Sequence, residues 1–221
     1  MNQARKRTTM QKVLSMILVL VMLLSLMSMS AFTMATNETG ASSSARNDFM
    51  RVFHLDCGRK YFSVAEIKSL IDTASAANYT HIELAVGNDS LRFLLDDMSV
   101  TVDGKTYASD DVKTQIHNGN VKYYDAGSVN ELSQSDMDAI IAYAQSKNIS
   151  IIPLINTPGH MDAILSVATS LTGVNCSAYD SVRTIDVANT TAVAFTQALL
   201  QKYINYFAGK GCGYFNMGAD E

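Results

Sequence analysis

The last two residues of the chain, Asp220 and Glu221, are neighbouring carboxylates at the end of a mostly apolar run, Gly213-Tyr214-Phe215-Asn216-Met217-Gly218-Ala219. Two ionised carboxylates side by side repel, and in a site of low dielectric at least one is driven to keep its proton near neutral pH. A carboxyl group held in that state can serve as a general acid. The competing reading is an ordinary Asp-Glu pair, solvated in a loop that follows a strand.

Three further polar clusters carry side chains that bind substrates or relay charge. Asp56 and Arg59 lie in Leu55-Asp56-Cys57-Gly58-Arg59-Lys60-Tyr61-Phe62; Asn88 and Asp89 lie in Gly87-Asn88-Asp89-Ser90-Leu91-Arg92-Phe93; His160 ends Asn156-Thr157-Pro158-Gly159-His160. Asp56 reads either as a carboxylate satisfied by Arg59 or by backbone amides, or as a substrate ligand. His160, placed after Pro-Gly, reads equally as a turn residue. Asp162, near the start of the following helix, suits the helix dipole and is read as structural. The four histidines, at 54, 81, 117 and 160, are scattered, and neither Cys-x-x-Cys nor His-x-x-x-His spacing occurs, so no metal or other cofactor is expected.

Delivering these residues to one place requires strands that end at the clusters. Val52 to Asp56 and His81 to Val86 have strand character, and Ile149 to Ile155 is an apolar run of the kind buried on both faces of a sheet. Tyr214 to Met217 is the fourth candidate strand. Between them, Ser63-Val64-Ala65-Glu66 is a capping box that opens a helix with Val64, Ile67, Leu70, Ile71 and Ala74 on one face. Ser133 to Lys147, Met161 to Leu171 and Thr190 to Ala208 also carry helical spacing, the last ended by glycines at 209, 211 and 213. Residues 90 to 132 are too long for an ordinary connection and contain a hairpin pattern, Met98 to Tyr107, around Asp103-Gly104. The order (βα)(βα)(βα)β implies a parallel α/β sheet. An eight-stranded barrel takes about 250 residues, so residues 49 to 221 are expected to be the N-terminal half, about four βα units, of a (β/α)8 TIM barrel. All four polar clusters then fall at the C-terminal ends of strands, where such barrels build their active sites.

The front of the chain reads differently. Arg5, Lys6, Arg7 and Lys12 precede a nearly unbroken apolar stretch from Val13 to about Met34, which is the pattern of a secretory signal peptide over residues 1–35. The alternative is an uncleaved anchor, weakened by Ser15, Ser25, Ser28 and Ser30. Residues 36–48 are small and polar and read as a flexible linker. Once the leader is removed, no stable membrane insertion is expected, and the protein is secreted or held at the cell surface. The remaining chain carries 13 basic residues (17 less those four) against 21 acidic, a formal net charge of −8, which gives nucleic acid no electrostatic purchase. The odd cysteine count, Cys57, Cys176 and Cys212, permits one disulfide at most; Cys57 and Cys212 are expected to be buried thiols on separated strands.

The pattern Asn-x-Gly-x-Asp-Glu, here Asn216, Gly218, Asp220 and Glu221, resembles the catalytic signature of family 20 glycoside hydrolases, the β-N-acetylhexosaminidases and lacto-N-biosidases. The three upstream stretches quoted above resemble the same family in the same order. The resemblance implies that Glu221 is the general acid and later the base, and that Asp220 orients the substrate's 2-acetamido group, whose carbonyl oxygen is the nucleophile. It implies that Arg59 binds sugar hydroxyls, that His160 belongs to the network behind the acid, and that Asn88 and Asp89 occupy a place where many relatives have paired aspartates. Which of the last two supports His160 stays open. The implied partners are N-acetylhexosamine-containing glycans, and the absence of tryptophan fits a family whose sugar-stacking tryptophans lie mostly in the other half of the barrel. Within this framework the alternatives are a lacto-N-biosidase that releases a disaccharide and a non-catalytic glycan-binding surface module.

Overall fold

The computed structural model describes residues 49–123, 130–178 and 181–219; the leader and linker assignments, and Asp220 and Glu221, lie outside the described residues. Four parallel strands form the sheet: β1 (Val52–Asp56), β2 (His81–Asn88), β6 (Ser150–Thr157) and β7 (Asn216–Gly218), hydrogen-bonded in the order β1-β2-β6-β7. A short strand, β3 (Ser90–Leu91), turns back antiparallel on the end of β2. Each of the first three parallel strands is followed by at least one helix before the next, which makes the described chain one half of a (β/α)8 barrel wall.

The helices begin where the sequence places its caps. Helix α1 (Val64–Ala76) starts at Ser63, whose hydroxyl accepts from the Glu66 amide while the Glu66 carboxylate accepts from the Ser63 amide. Helix α3 (Gln134–Ser146) repeats this box with Ser133 and Asp136. Helix α4 (Asp162–Thr172) ends on Gly173 with φ +75°, and α5 (Thr190–Gly209) starts at Asn189, whose side chain accepts from the Thr191 and Ala192 amides. The apolar faces of these helices, Ile67, Ile71, Ile140, Ile141, Val167 and Leu199 among them, are buried together with Ile82, Leu84, Ile151 and Ile155 of the sheet.

The long connection holds the hairpin expected at Asp103-Gly104, as β4 (Val100–Val102) and β5 (Lys105–Tyr107), and also a helix the sequence did not suggest, α2 (Ser109–Tyr123). The hairpin packs on α5 through Tyr107 against Phe195 and through Thr191, whose hydroxyl donates to Asp103. Helix α2 lies on α4, close enough that a Cβ on Gly119 would stand 3.3 Å from the Ala163 Cα. Two buried side chains fasten the connection to the sheet: Asn120 bridges the backbone N–H and C=O of Leu91, and Arg92 donates to the Gly58 and Asn130 carbonyls.

Two expectations need correction. Pairing of the fourth strand begins at Asn216 rather than Tyr214, and Tyr214 is 56% exposed. Cys212, expected to be buried, is only partly so, because it lies in the turn after α5 and not in a strand; all three cysteines are free thiols. Burial pushes the Cys57 thiol up to about 12, and the nearby Asp56 charge adds to the effect. Among the described residues, no helix is long and apolar enough to cross a membrane.

Candidate active site

At the C-terminal end of β1 the chain turns because the Asp56 carboxylate accepts from two of the next amides, Gly58 N–H at 3.0 Å and Arg59 N–H at 2.9 Å. Gly58 is required here: a Cβ would stand 2.5 Å from the Asn88 backbone nitrogen. The other Asp56 oxygen accepts from Asn88 Nδ2 at 2.9 Å, while Arg59 Nε is 3.9 Å away. Of the two readings left open for Asp56, the backbone-bonded one describes its contacts, although the residue also lines the cleft described below.

The end of β2 supplies Asn88 and Asp89. Register between β2 and β6 shifts between Ala85 and Gly87, an irregularity that re-aims the strand end, and Asp89 follows with φ +62°. Its carboxylate is 2% exposed; one oxygen lies 2.7 Å from His160 Nδ1, the other accepts from Arg59 Nε at 2.8 Å. Asp89, and not Asn88, therefore supports His160. Asp89 is buried and committed to two side chains, Arg59 and His160. Asn88 faces Asp56 through its amide nitrogen and lines the cleft.

His160 follows β6 at the turn Thr157-Pro158-Gly159, has φ +52°, and its side chain is 10% exposed. The contact with a carboxylate assigns the ring proton to Nδ1. Arg59 Nη2 lies 3.2 Å from the same nitrogen, a contact between two donors that the Asp89 anion between them makes tolerable.

After β7 regular strand geometry stops. Gly218 has φ +74° and Ala219 φ +67°, and the Ala219 amide donates to the Thr157 carbonyl at 2.7 Å. A Cβ on Gly218 would overlap the Asn156 side chain, 1.7 Å from its Oδ1, so only glycine fits. Consecutive strand residues point to opposite faces, and the expected bend ahead of Asp220-Glu221 is present.

These ends surround a cleft of about 340 Å³, lined by Asp56, Arg59, Asn88, Asn156 and Gly218 at its rim and by His54, Glu83 and Asn216 deeper in the barrel wall, near the low end of volumes that hold small ligands. The deeper group was not foreseen. His54 and Glu83 are cross-strand partners in register, bonded at 2.9 Å, and Asn216 donates to the other Glu83 oxygen at 3.1 Å. Alternation along β1 was the available signal, since His54 projects to the same face as Asp56 two residues on; Glu83 joins them through its register opposite His54. None of the described residues of the long connection lines this cleft, so its described part braces helices instead. Among the described residues, no group of three or more His, Cys, Asp or Glu is arranged to hold a metal ion.

Comparison with known proteins gives four findings. The sequence profile of the glycosyl hydrolase family 20 catalytic domain matches residues 49–221. A structure of the pneumococcal exo-β-D-N-acetylglucosaminidase StrH, which holds tandem catalytic modules of that family, is similar at 47% identity and a TM-score of 0.75, over 78% of this chain and 42% of that one. The β-N-acetylhexosaminidase of Bacteroides fragilis shares the fold at 23% identity and a TM-score of 0.58, over 78% of this chain and 32% of that one. The lacto-N-biosidase of Bifidobacterium bifidum is 32% identical over 89 residues, 40% of this chain and 8% of that protein. The chain spans less than half the length of each of these relatives.

Proposed function

Because the chain belongs to glycosyl hydrolase family 20, we propose that the protein is a secreted exo-glycosidase that removes terminal β-linked N-acetylhexosamine from glycans. The observation that carries this reading is the 47% identity to an exo-β-D-N-acetylglucosaminidase over 78% of the chain. The leader-like front of the sequence is what supports export.

In this reading the substrate's 2-acetamido oxygen attacks the anomeric carbon as Glu221 gives its proton to the departing glycosidic oxygen. An oxazolinium-like intermediate forms, and Glu221, now a base, takes a proton from the water that opens it, so the anomeric configuration is retained. Asp220 holds the acetamido group and balances the positive charge that grows on it. The neighbouring amide, already in place, acts with the high effective molarity of an intramolecular nucleophile. Arg59 presents a planar fork of donors suited to a pair of vicinal hydroxyls. Asp89 fixes that fork by one oxygen and orients His160 by the other. Asn88 serves the same cleft from its rim.

A second reading, release of a disaccharide as by a lacto-N-biosidase, has the similarity to the Bifidobacterium bifidum enzyme behind it. Incubating the full-length protein with glycans that end in single β-linked GlcNAc or GalNAc, and with glycans that end in lacto-N-biose, separates the two by the product released. Glu221→Gln is expected to lower turnover by orders of magnitude for natural glycans, and by much less for a 4-nitrophenyl glycoside, whose departure needs little protonation. Equal losses on both substrates would remove Glu221 from the role of acid.

A further inference from the structure

Asp162 stands out among the buried groups that the mechanism above does not use. It is the first residue of α4, its side chain is 1% exposed, and neither carboxylate oxygen has a hydrogen-bond partner. An ionised carboxylate in that position forfeits its solvation with no side-chain hydrogen bond in return. Its neighbour in the chain, Ala163, donates its amide to the Asp89 carbonyl at 2.8 Å, so Asp162 lies beside Asp89, whose charge and side chain both act to raise the Asp162 carboxyl.

Two buried carboxyl groups side by side share one proton instead of both ionising. Asp89 cannot be the one that holds it, since its oxygens accept from Arg59 and His160. We infer that Asp162 is a positioning residue of the active site: its protonated carboxyl donates to Asp89 and fixes the carboxylate that orients His160 and Arg59. The role rests on the glycosidase reading for its catalytic consequence, though not for the hydrogen bond itself.

Opposing forces are present and weaker. Arg183, from the segment after α4, stands 3.6 Å from Asp162 Oδ1 and would favour the anion, but its side chain is 54% exposed and its charge is screened by solvent. The start of α4 also favours an anion. Helix α2 meets α4 through two uncharged residues, Gly119 and Ala163. Burial, followed by the Asp89 charge, prevails and raises the Asp162 carboxyl from 3.8 to about 6.

The test uses the full-length protein, wild type against Asp162→Asn and Asp162→Leu, with pH profiles of kcat and KM on a 4-nitrophenyl N-acetyl-β-hexosaminide. Leucine removes the donor and should lower kcat about tenfold or more, the loss expected for one hydrogen bond to a charged acceptor, with little change in KM. Asparagine offers an amide donor that does not titrate: it should recover most of that loss and extend activity to higher pH than the wild type, whose kcat should fall above pH about 6 as Asp162 ionises. Equal kcat in all three, or an Asn variant that keeps the wild-type profile, overturns the proposal. Should the wild type turn over no N-acetylhexosaminide, the functional reading fails, and the pH dependence of stability decides the proposal by itself: a slope between pH 4 and 6 present in the wild type and absent in Asp162→Asn supports it, and identical slopes refute it.

Discussion

Asp89 and His160 hold each other twice: the Asp89 amide donates to the His160 carbonyl at 2.7 Å, and His160 Nδ1–H donates to the Asp89 carboxylate at 2.7 Å. Both residues have positive φ, +62° and +52°, a conformation that side chains other than glycine adopt at a cost of about 1 kcal/mol or more. The two backbones are bent toward one another at the ends of adjacent strands, and the paired hydrogen bonds offset that cost. The consequence is a histidine whose tautomer and ring orientation are set by a buried anion before any substrate arrives.

Asp89→Asn should therefore damage turnover more than binding. The amide keeps the shape but removes the charge that sits between Arg59 and His160, whose donor nitrogens are 3.2 Å apart. We expect a fall in kcat of about 10- to 100-fold, the range for losing a charge-assisted hydrogen bond, with far-ultraviolet circular dichroism unchanged. A variant with wild-type kcat would show that neither contact matters to the chemistry.

Gly218→Ala should disable the site by a different route. The added Cβ meets the Asn156 side chain, and φ +74° is unfavourable for alanine in any case. Either Asn156 or the 218–219 bend must move, and the bend leads directly into Asp220 and Glu221. The expected result is a loss of about 1–3 kcal/mol in stability by urea unfolding, from overpacking and backbone strain, with activity reduced beyond what the unfolded fraction explains. A fully active, equally stable variant would mean that the turn tolerates a side chain.

Stability itself should carry the signature of Asp162. Its folded-state carboxyl titrates at about 6 against 3.8 when exposed, so between those values the folded protein binds a proton that the unfolded chain does not. By linkage, stability falls as pH rises through that window and levels off above it. The full effect is about 3 kcal/mol at 1.36 kcal/mol per pH unit of displacement. Measured by urea unfolding, Asp162→Asn should gain on the wild type by that order between pH 4 and pH 7. A constant difference across the range would indicate an ordinary ionised aspartate paired with Arg183.

What the sequence conveyed and what it withheld divide along a physical line. The capping boxes at Ser63 and Ser133 and the apolar strands were legible because they are local: spacing within a few residues decides them. Helix α2 was not, since it is polar and holds Asn118, Gly119 and Asn120, all poor helix formers; packing of Gly119 on Ala163 stabilises it, and that contact joins residues 44 apart in sequence. Asp162 shows the same divide: its place at the start of a helix is a local fact that suggests an anion, whereas the burial and the Asp89 charge that raise its carboxyl come from tertiary packing, Asp89 lying more than 70 residues earlier in the chain. Asn88 and Asp89 looked interchangeable in sequence, and only the bend after Asn88 shows that one faces Asp56 and the other His160.

The remaining prediction separates substrate assistance from a conventional nucleophilic carboxylate. If Asp220 acts by holding the 2-acetamido group, Asp220→Asn in the full-length protein should cost about 2–4 kcal/mol of transition-state stabilisation, the range for one preorganised electrostatic partner. No covalent glycosyl-enzyme should accumulate in either protein, because the nucleophile belongs to the substrate. A thiazoline that mimics the cyclised intermediate should inhibit the wild type strongly and the variant weakly, since the variant lacks the carboxylate that pairs with the positive charge of the ring. Gly218 and Ala219 break strand geometry immediately ahead of the two acids, so the inhibitor should lose affinity for Gly218→Ala as well. A 2-fluoro sugar trapped covalently on Asp220, or comparable turnover of substrates bearing a plain 2-hydroxyl, would sink the substrate-assisted mechanism and leave Asp220 as an ordinary nucleophile.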